Sequence, residues 1–185
     1  MPLETRVEGT YAVVDVSGIW TAVKAANDYV LVPNVSALQK SDESVIDTEM
    51  QTEPGVHARR DYKLAIPGYM EGGGMIVLFG SSGALNSVAS DSNAARVNLK
   101  VYHGSPTGGD LLGSANGTER IPNNTSEQSY TEIIACTLSK YRLSGASYLT
   151  IRVELEVTEA DANGIQMKLY ADPDTKPLLF YVNMP

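Results

Sequence analysis

Tyr148-Leu149-Thr150-Ile151-Arg152-Val153-Glu154-Leu155-Glu156-Val157-Thr158 alternates apolar and polar residues without a break. In an extended chain Leu149, Ile151, Val153, Leu155 and Val157 share one side, and Thr150, Arg152, Glu154 and Glu156 share the other. Wound as a helix, Arg152, Glu154 and Glu156 would scatter round the cylinder and spoil any apolar stripe. The stretch is therefore a half-buried strand. Ile165, Met167 and Leu169 repeat the pattern against Gln166 and Lys168, and Asn163-Gly164 between the two runs supplies positive φ cheaply. Residues 148–171 read as a β-hairpin.

Strand signals continue in both directions. Asp172-Pro173-Asp174-Thr175-Lys176-Pro177 is a rigid turn, because proline fixes φ and aspartate closes local turns. It leads into Leu178-Leu179-Phe180-Tyr181-Val182, a continuous apolar strand suited to cover on both faces. Upstream, Arg96–His103 alternates, Gly74–Phe79 is a short apolar run, Ser129–Leu138 is a further strand, and Asp61–Ile66 stops at Pro67-Gly68. Tyr29–Val32 precedes Pro33, and Arg6–Val16 reads as one long or bulged strand with Gly9 as its irregularity. That makes about eight or nine strands and no amphipathic helix. The expected fold is all-β: an antiparallel β-sandwich of jelly-roll type, one domain over residues 1–185, with residues 1–30 a first strand or an extended arm.

Two polar segments read as long loops. Val35–His57 is acidic, with room for one helical turn around Glu43–Met50. Gly104–Gln128 is rich in Gly, Ser, Asn, Thr and Pro. Segments this long without structure of their own are usually functional or interfacial.

Of 185 residues 43% are hydrophobic and 19% charged, which supports a real core and argues against disorder. The net charge of −8 repels phosphate backbones, so no nucleic-acid partner is expected. No run approaches the roughly 18 apolar residues of a membrane span, and Met1-Pro2-Leu3-Glu4-Thr5-Arg6 lacks the order of a secretion signal. The single cysteine, Cys136, excludes an internal disulfide and sits in the apolar run Ile133–Leu138, as a core residue does.

Each candidate for chemistry has a plainer explanation. Glu159-Ala160-Asp161-Ala162-Asn163-Gly164 imitates the start of a calcium loop, but Tyr170 stands where the closing bidentate Glu belongs. That leaves at most weak surface cation binding by Asp161 with Asp172 or Asp174. Gly72-Gly73-Gly74 and Gly80-Ser81-Ser82-Gly83 lack the Lys-Ser/Thr ending of a phosphate loop and read as strand connections. Gly113-Ser114-Ala115-Asn116-Gly117 puts its serine one place early for a nucleophile elbow. His57 and His103 lie in no metal motif. Glu154 and Glu156 share one strand face and so resemble a glycosidase pair, but they belong to a solvated face with Arg152. The glycosylation patterns at Asn34, Asn116, Asn123 and Asn124 carry little weight at their chance frequency. Trp20 and the ten tyrosines are core edges and interface residues before they are sugar platforms. No catalytic, cofactor-binding or metal-ligating residue is expected, and no cofactor.

The closing strands Tyr148–Thr158, Ile165–Ala171 and Leu178–Val182, with the polar Gly104–Gln128 insertion, resemble the jelly-roll decoration (cement) and minor capsid proteins of tailed bacteriophages. The resemblance implies a virion structural protein on the capsid surface, assembled in the host cytoplasm. It implies symmetric self-association, often as homotrimers, and a major capsid protein as partner. Residues 178–182 and the first thirty residues are the expected contact segments. Alternatives of the same fold class are a carbohydrate-binding module and a receptor-binding phage tail domain, and a hydrolytic enzyme stands behind both.

Overall fold

The computed structural model describes residues 5–8, 11–14, 18–25, 28–33, 45–66, 70–89, 91–143, 147–172 and 175–184. Thirteen strands run through them: β1 Thr5–Glu8, β2 Tyr11–Val14, β3 Gly18–Ala25, β4 Asp28–Pro33, β5 Val45–Asp47, β6 Gly55–Ile66 and β7 Met70–Asn86. They continue as β8 Ala94–His103, β9 Asp110–Asn116, β10 Gln128–Leu143, β11 Ser147–Glu159, β12 Ile165–Tyr170 and β13 Leu179–Asn183. The protein is an all-β sandwich, and the described residues contain no helix. β1 and β2 pair only with each other. The rest form one ladder in the order β5-β12-β7-β13-β3-β4-β6-β11-β8-β9, with β10 on the other edge of β7. Every pairing is antiparallel except a single parallel bridge, Val30 to Lys63, between β4 and β6.

The period-two pattern of β11 does what it implies. Leu149, Ile151, Val153 and Leu155 are all 0% exposed, and each contributes about 1.5–3 kcal/mol by leaving water. They join one core cluster with Ile76 and Leu78 of β7, Ile134 of β10, Met167 of β12 and Phe180 of β13. Tyr62 of β6 packs on Phe180 with ring centroids 5.6 Å apart and planes at 55°, a tilted contact favoured by the ring quadrupoles.

The expected hairpin over residues 148–171 does not exist as a pair of bonded strands. β11 is paired to β6 and β8, whereas β12 is paired to β5 and β7. The turn is a corner that carries the chain from one layer to the other. Gly164 still needs its positive φ of 76°, and a Cβ there would lie 2.9 Å from the Gln51 carbonyl oxygen. Alternation fixes which face each side chain takes; it says nothing about which strand fills each edge.

Both long loops contain strands. β5 occupies part of residues 35–57 and buries Ile46 against β12, and β6 begins at Gly55. The expected helical turn near residues 43–50 is replaced by β5 and a tight turn. In that turn Glu49 has φ 54° and its N–H donates to Asp47 Oδ1 at 2.8 Å. Residues 34–44 lie outside the described residues. β9 crosses residues 104–128, and of its two leucines only Leu112 turns inward, at 8% exposure. Gly113 is needed there because a Cβ would collide with the Thr137 carbonyl of β10.

The glycine groups are strand interior rather than connections. Gly72–Gly74 and Gly80–Gly83 all belong to β7, which pairs with β10 from Met70 to Ala84. A Cβ on Gly80 would meet Leu178 Cδ1 at 2.9 Å, so close approach of neighbours is what selects glycine. Arg6–Val16 is likewise not one strand: β1 and β2 pair antiparallel, with Glu8 opposite Tyr11, and Gly9 lies outside the described residues. The final strand is covered on one face only, with Phe180 and Val182 buried and Tyr181 38% exposed. Of the expected turn before it, residues 173–174 lie outside the described residues; on either side of them Thr175 Oγ1 donates to Asp172 Oδ2 at 2.8 Å.

Candidate functional site

The outer face of β6, β11 and β8 is a ladder of paired charges. Arg152 donates from Nε and Nη2 to the two carboxylate oxygens of Asp61 at 2.7 and 2.9 Å. This bidentate grip raises the arginine's already high pKa. Arg96 Nε and Asn98 Nδ2 both donate to Glu156 Oε2, at 2.8 and 2.7 Å. Burial alone would raise the Glu156 pKa, but these donors outweigh it and hold the carboxyl below its usual range. A glycosidase acid needs the opposite shift.

Glu154 departs from expectation. It is 5% exposed rather than solvated, with Lys100 Nζ 2.7 Å from Oε2, at an angle that makes an ion pair rather than an aligned hydrogen bond. It lies between Arg59 of β6 and Asn98 of β8 in register, a cross-strand setting that period-two alternation cannot show. Both glutamates are therefore engaged in structural pairs.

The histidines separate. His57 is exposed, its Nε2 2.9 Å from the Glu53 carbonyl oxygen. His103, at the end of β8, brings Nε2 to 3.2 Å from Ser147 Oγ at the start of β11. No local motif joins residues 44 positions apart, and only the register that puts Leu149 opposite His103 creates the contact. Asp110 of β9 stands opposite His103 on its other side. Cys136 is 0% exposed, and burial pushes its thiol up to about 11, which fits a core residue. Among the described residues no group of acidic, histidine or cysteine side chains is placed to hold a metal. Asp161 instead accepts from Asn93 Nδ2 at 3.0 Å and from the Asn163 N–H at 2.8 Å, and these bonds build the corner. Asp174 lies outside the described residues.

A second ionic contact, besides Lys100–Glu154, reaches a buried carboxylate. Glu132 of β10 is 1% exposed. Its Oε1 accepts from Ser82 Oγ at 2.6 Å and from Arg120 Nε at 3.2 Å. Arg120 also donates to the Thr131 carbonyl at 3.0 Å and lies 4.7 Å from the Tyr130 ring centroid. An open groove of about 400 Å³ lies where β4 meets β6, lined by Val30, Leu31, Lys63, Ala65, Ser147 and Tyr148.

The outer face of β10, β7, β13 and β3 is of the opposite character. Phe79 stands opposite Ile133 on one side and Leu179 on the other. Tyr181 stands between Val77 and Ile19. Ile133 is 64% exposed, Ile19 50% and Phe79 40%. These rows contain no charged residue, and four neighbouring strands contribute to them. Scattered exposed apolar residues are ordinary on a soluble protein, whereas a contiguous row is characteristic of contact surfaces. Of the expected contact segments, residues 178–182 bring Leu179 and Tyr181 to these rows and the first thirty residues bring Ile19, while Phe79 and Ile133 join them only through register.

No family model and no curated protein matches this sequence. Among solved structures, a CocE/NonD family hydrolase from Staphylococcus aureus is similar in fold, with TM-score 0.52 and 8% identity over 92% of this chain. The chain spans 37% of that hydrolase's length. Structures of infectious bursal disease virus, strains Gt and Gx, align at TM-scores of 0.24 and 0.21 with 6% and 8% identity. These cover 100% and 86% of this chain and 46% and 43% of theirs, and likeness at that level carries no argument. At 8% identity the hydrolase shows a shared fold and nothing about activity: the chain is an all-β sandwich of a kind found within a larger enzyme.

Proposed function

We propose that the protein is a non-catalytic structural subunit that acts by docking, in the manner of a virion decoration protein that binds a major capsid protein on the assembled shell. The observation that carries this reading is the uncharged row through Ile133, Phe79, Leu179, Tyr181 and Ile19 on an otherwise acidic molecule. Contact cores are depleted of charge in this way. A subunit that binds only the assembled shell stabilises that state by mass action. The test is co-sedimentation of the purified protein with assembled capsids, beside a glycan array. Saturable binding to shells with no sugar bound supports decoration. Sugar binding without shell binding favours the carbohydrate-binding or tail-domain alternative.

A second reading draws on the 3.2 Å contact between His103 and Ser147. In it His103 is the base and Ser147 the nucleophile, with Asp110 the register neighbour of His103 on β9. Ester or peptide hydrolysis abolished by both Ser147→Ala and His103→Gln would establish it in place of the docking role.

A further inference from the structure

We infer that the groove where β4 meets β6 binds a small carboxylate with an apolar body. The inference goes beyond the docking reading and stands or falls without it. β4 and β6 join through one bridge, Val30 to Lys63, and where they part the groove encloses about 400 Å³. That is the small end of ligand-site volumes, so the occupant is a small molecule. Register builds the floor. Tyr148 stands opposite Ala65 and Thr150 opposite Lys63, so Lys63, Ala65 and Tyr148 lie on one side of the sheet. Ala65 is too short to fill the space beside the Tyr148 ring, which is 37% exposed. Val30 and Leu31 supply an apolar wall.

Charge selects the occupant. None of the lining residues is acidic, and Lys63 is exposed among them. Its Nζ lies 5.9 Å from the Tyr148 ring centroid, the outer limit of cation–π attraction, so it turns to an anion at little cost. The carboxylate two residues back along β6, Asp61, is gripped by Arg152. Ser147 brings a second polar group to the groove. With the His103 proton on Nε2, 3.2 Å away, Ser147 accepts from the ring and its own O–H is left to donate to an anion. A cationic ligand would be repelled by Lys63. A polyanion would lay its further charges on a protein of net charge −8. A sugar would bury hydroxyls against Val30, Leu31 and Ala65, whose side chains offer no hydrogen bond. An apolar body against the Tyr148 ring, with one carboxylate at Lys63, satisfies both halves of the site.

Isothermal titration calorimetry of the full chain tests this with sodium phenylacetate, its neutral isostere phenylacetamide, 2-phenylethylammonium and glucuronate. Phenylacetate is expected to bind with a Kd of about 1 mM, as a ligand of about ten non-hydrogen atoms allows. Phenylacetamide should bind at least tenfold more weakly, and the ammonium and the glucuronate should not bind. Lys63→Met keeps the stem and removes the charge. It should weaken phenylacetate at least tenfold and abolish its advantage over the amide. Tyr148→Ala should weaken acid and amide alike, and Lys140→Met, at an exposed residue of β10, should change neither. Lys63 and Tyr148 are both exposed, so these variants should melt as the parent does. If one does not fold, the comparison of acid with amide on the unaltered chain decides. No saturable binding of phenylacetate at about 10 mM overturns the inference, as do equal affinity for acid and amide, tighter binding of glucuronate, or indifference to Lys63→Met. Co-sedimentation with shells is scored separately. A protein that binds shells but not phenylacetate loses this inference alone, and one that binds phenylacetate but not shells loses the docking reading alone.

Discussion

Arg120 reaches from the segment after β9 to set its Nε 3.2 Å from Glu132 Oε1, on a carboxylate that is 1% exposed. The Arg120 backbone is held by Ala95, with N–H to O distances of 2.7 and 3.0 Å. The polar stretch after β9 is thus tied to β8 and β10 at Arg120. Arg120→Ala leaves a buried carboxylate without its cation and is expected to cost about 3 kcal/mol. Adding Glu132→Gln removes the stranded charge and should restore more than half of that loss in a denaturant melt. Deleting residues 121–126 should be tolerated, because loop closure entropy changes slowly with length. Deleting 117–127 should not be, because it takes Arg120 with it.

Val153→Ala or Leu155→Ala should each cost about 2–4 kcal/mol, through lost transfer energy and the cavity left behind. Glu154→Gln keeps the shape and breaks only the ion pair with half-exposed Lys100, so about 1 kcal/mol is expected. Chemical denaturation of the three variants checks the order. A larger loss for Glu154→Gln than for Leu155→Ala would contradict the register of β11.

Glu127 accepts hydrogen bonds from the Tyr170 hydroxyl and from Lys168 Nζ, the latter at 2.9 Å. Burial acts to raise the Glu127 pKa, and these donors outweigh it, so the folded value lies below the ordinary glutamate value of 4.5. The stability from this latch is therefore fully present above that value and is lost as pH falls through the folded pKa. Tyr170 is pushed up to about 12 by burial and by its bond to Glu127, from 10.0. Its contribution is complete below 10 and is lost as pH rises from there toward 12. Stability measured against pH should flatten at the acid end in Glu127→Gln and at the alkaline end in Tyr170→Phe.

Cys136, with its thiol pushed up to about 11 and no exposed surface, should be inert to thiol reagents in the folded protein. Titration with an aromatic disulfide should show no reaction in buffer at neutral pH and one equivalent in denaturant. Fast labelling in buffer would mean that β10 opens locally, away from β7 and β9.

The strands most legible in the sequence are those with one wet and one dry face. β8, β11 and β12 announce themselves because each apolar residue is followed by a polar one. β7 was only partly legible, since its glycines answer to neighbours such as Leu178 and Asn183 rather than to local chain geometry. β5 and β9 were hidden because an edge strand of three residues, or one built from small polar residues, buries too little to leave a pattern. The contact of His103 with Ser147 and the pairing of Arg120 with Glu132 had no local sign at all. Each joins side chains that meet only when the strands are placed.

What the sequence determined by itself is the all-β class, the inward set Leu149, Ile151, Val153 and Leu155, and the burial of Cys136. These depend on the two-residue period of an extended chain and on the transfer of apolar groups from water, and both are properties of residues taken in order. Tertiary structure alone decided that β11 and β12 pair in different layers and that Glu154 is covered. It alone gathered Ile133, Phe79, Tyr181 and Ile19 into one uncharged face. Those outcomes depend on which strand fills each edge, and backbone N–H and C=O groups are chemically the same along every strand. Local sequence therefore cannot choose the neighbour. The choice falls to the single arrangement that buries all the apolar faces at once.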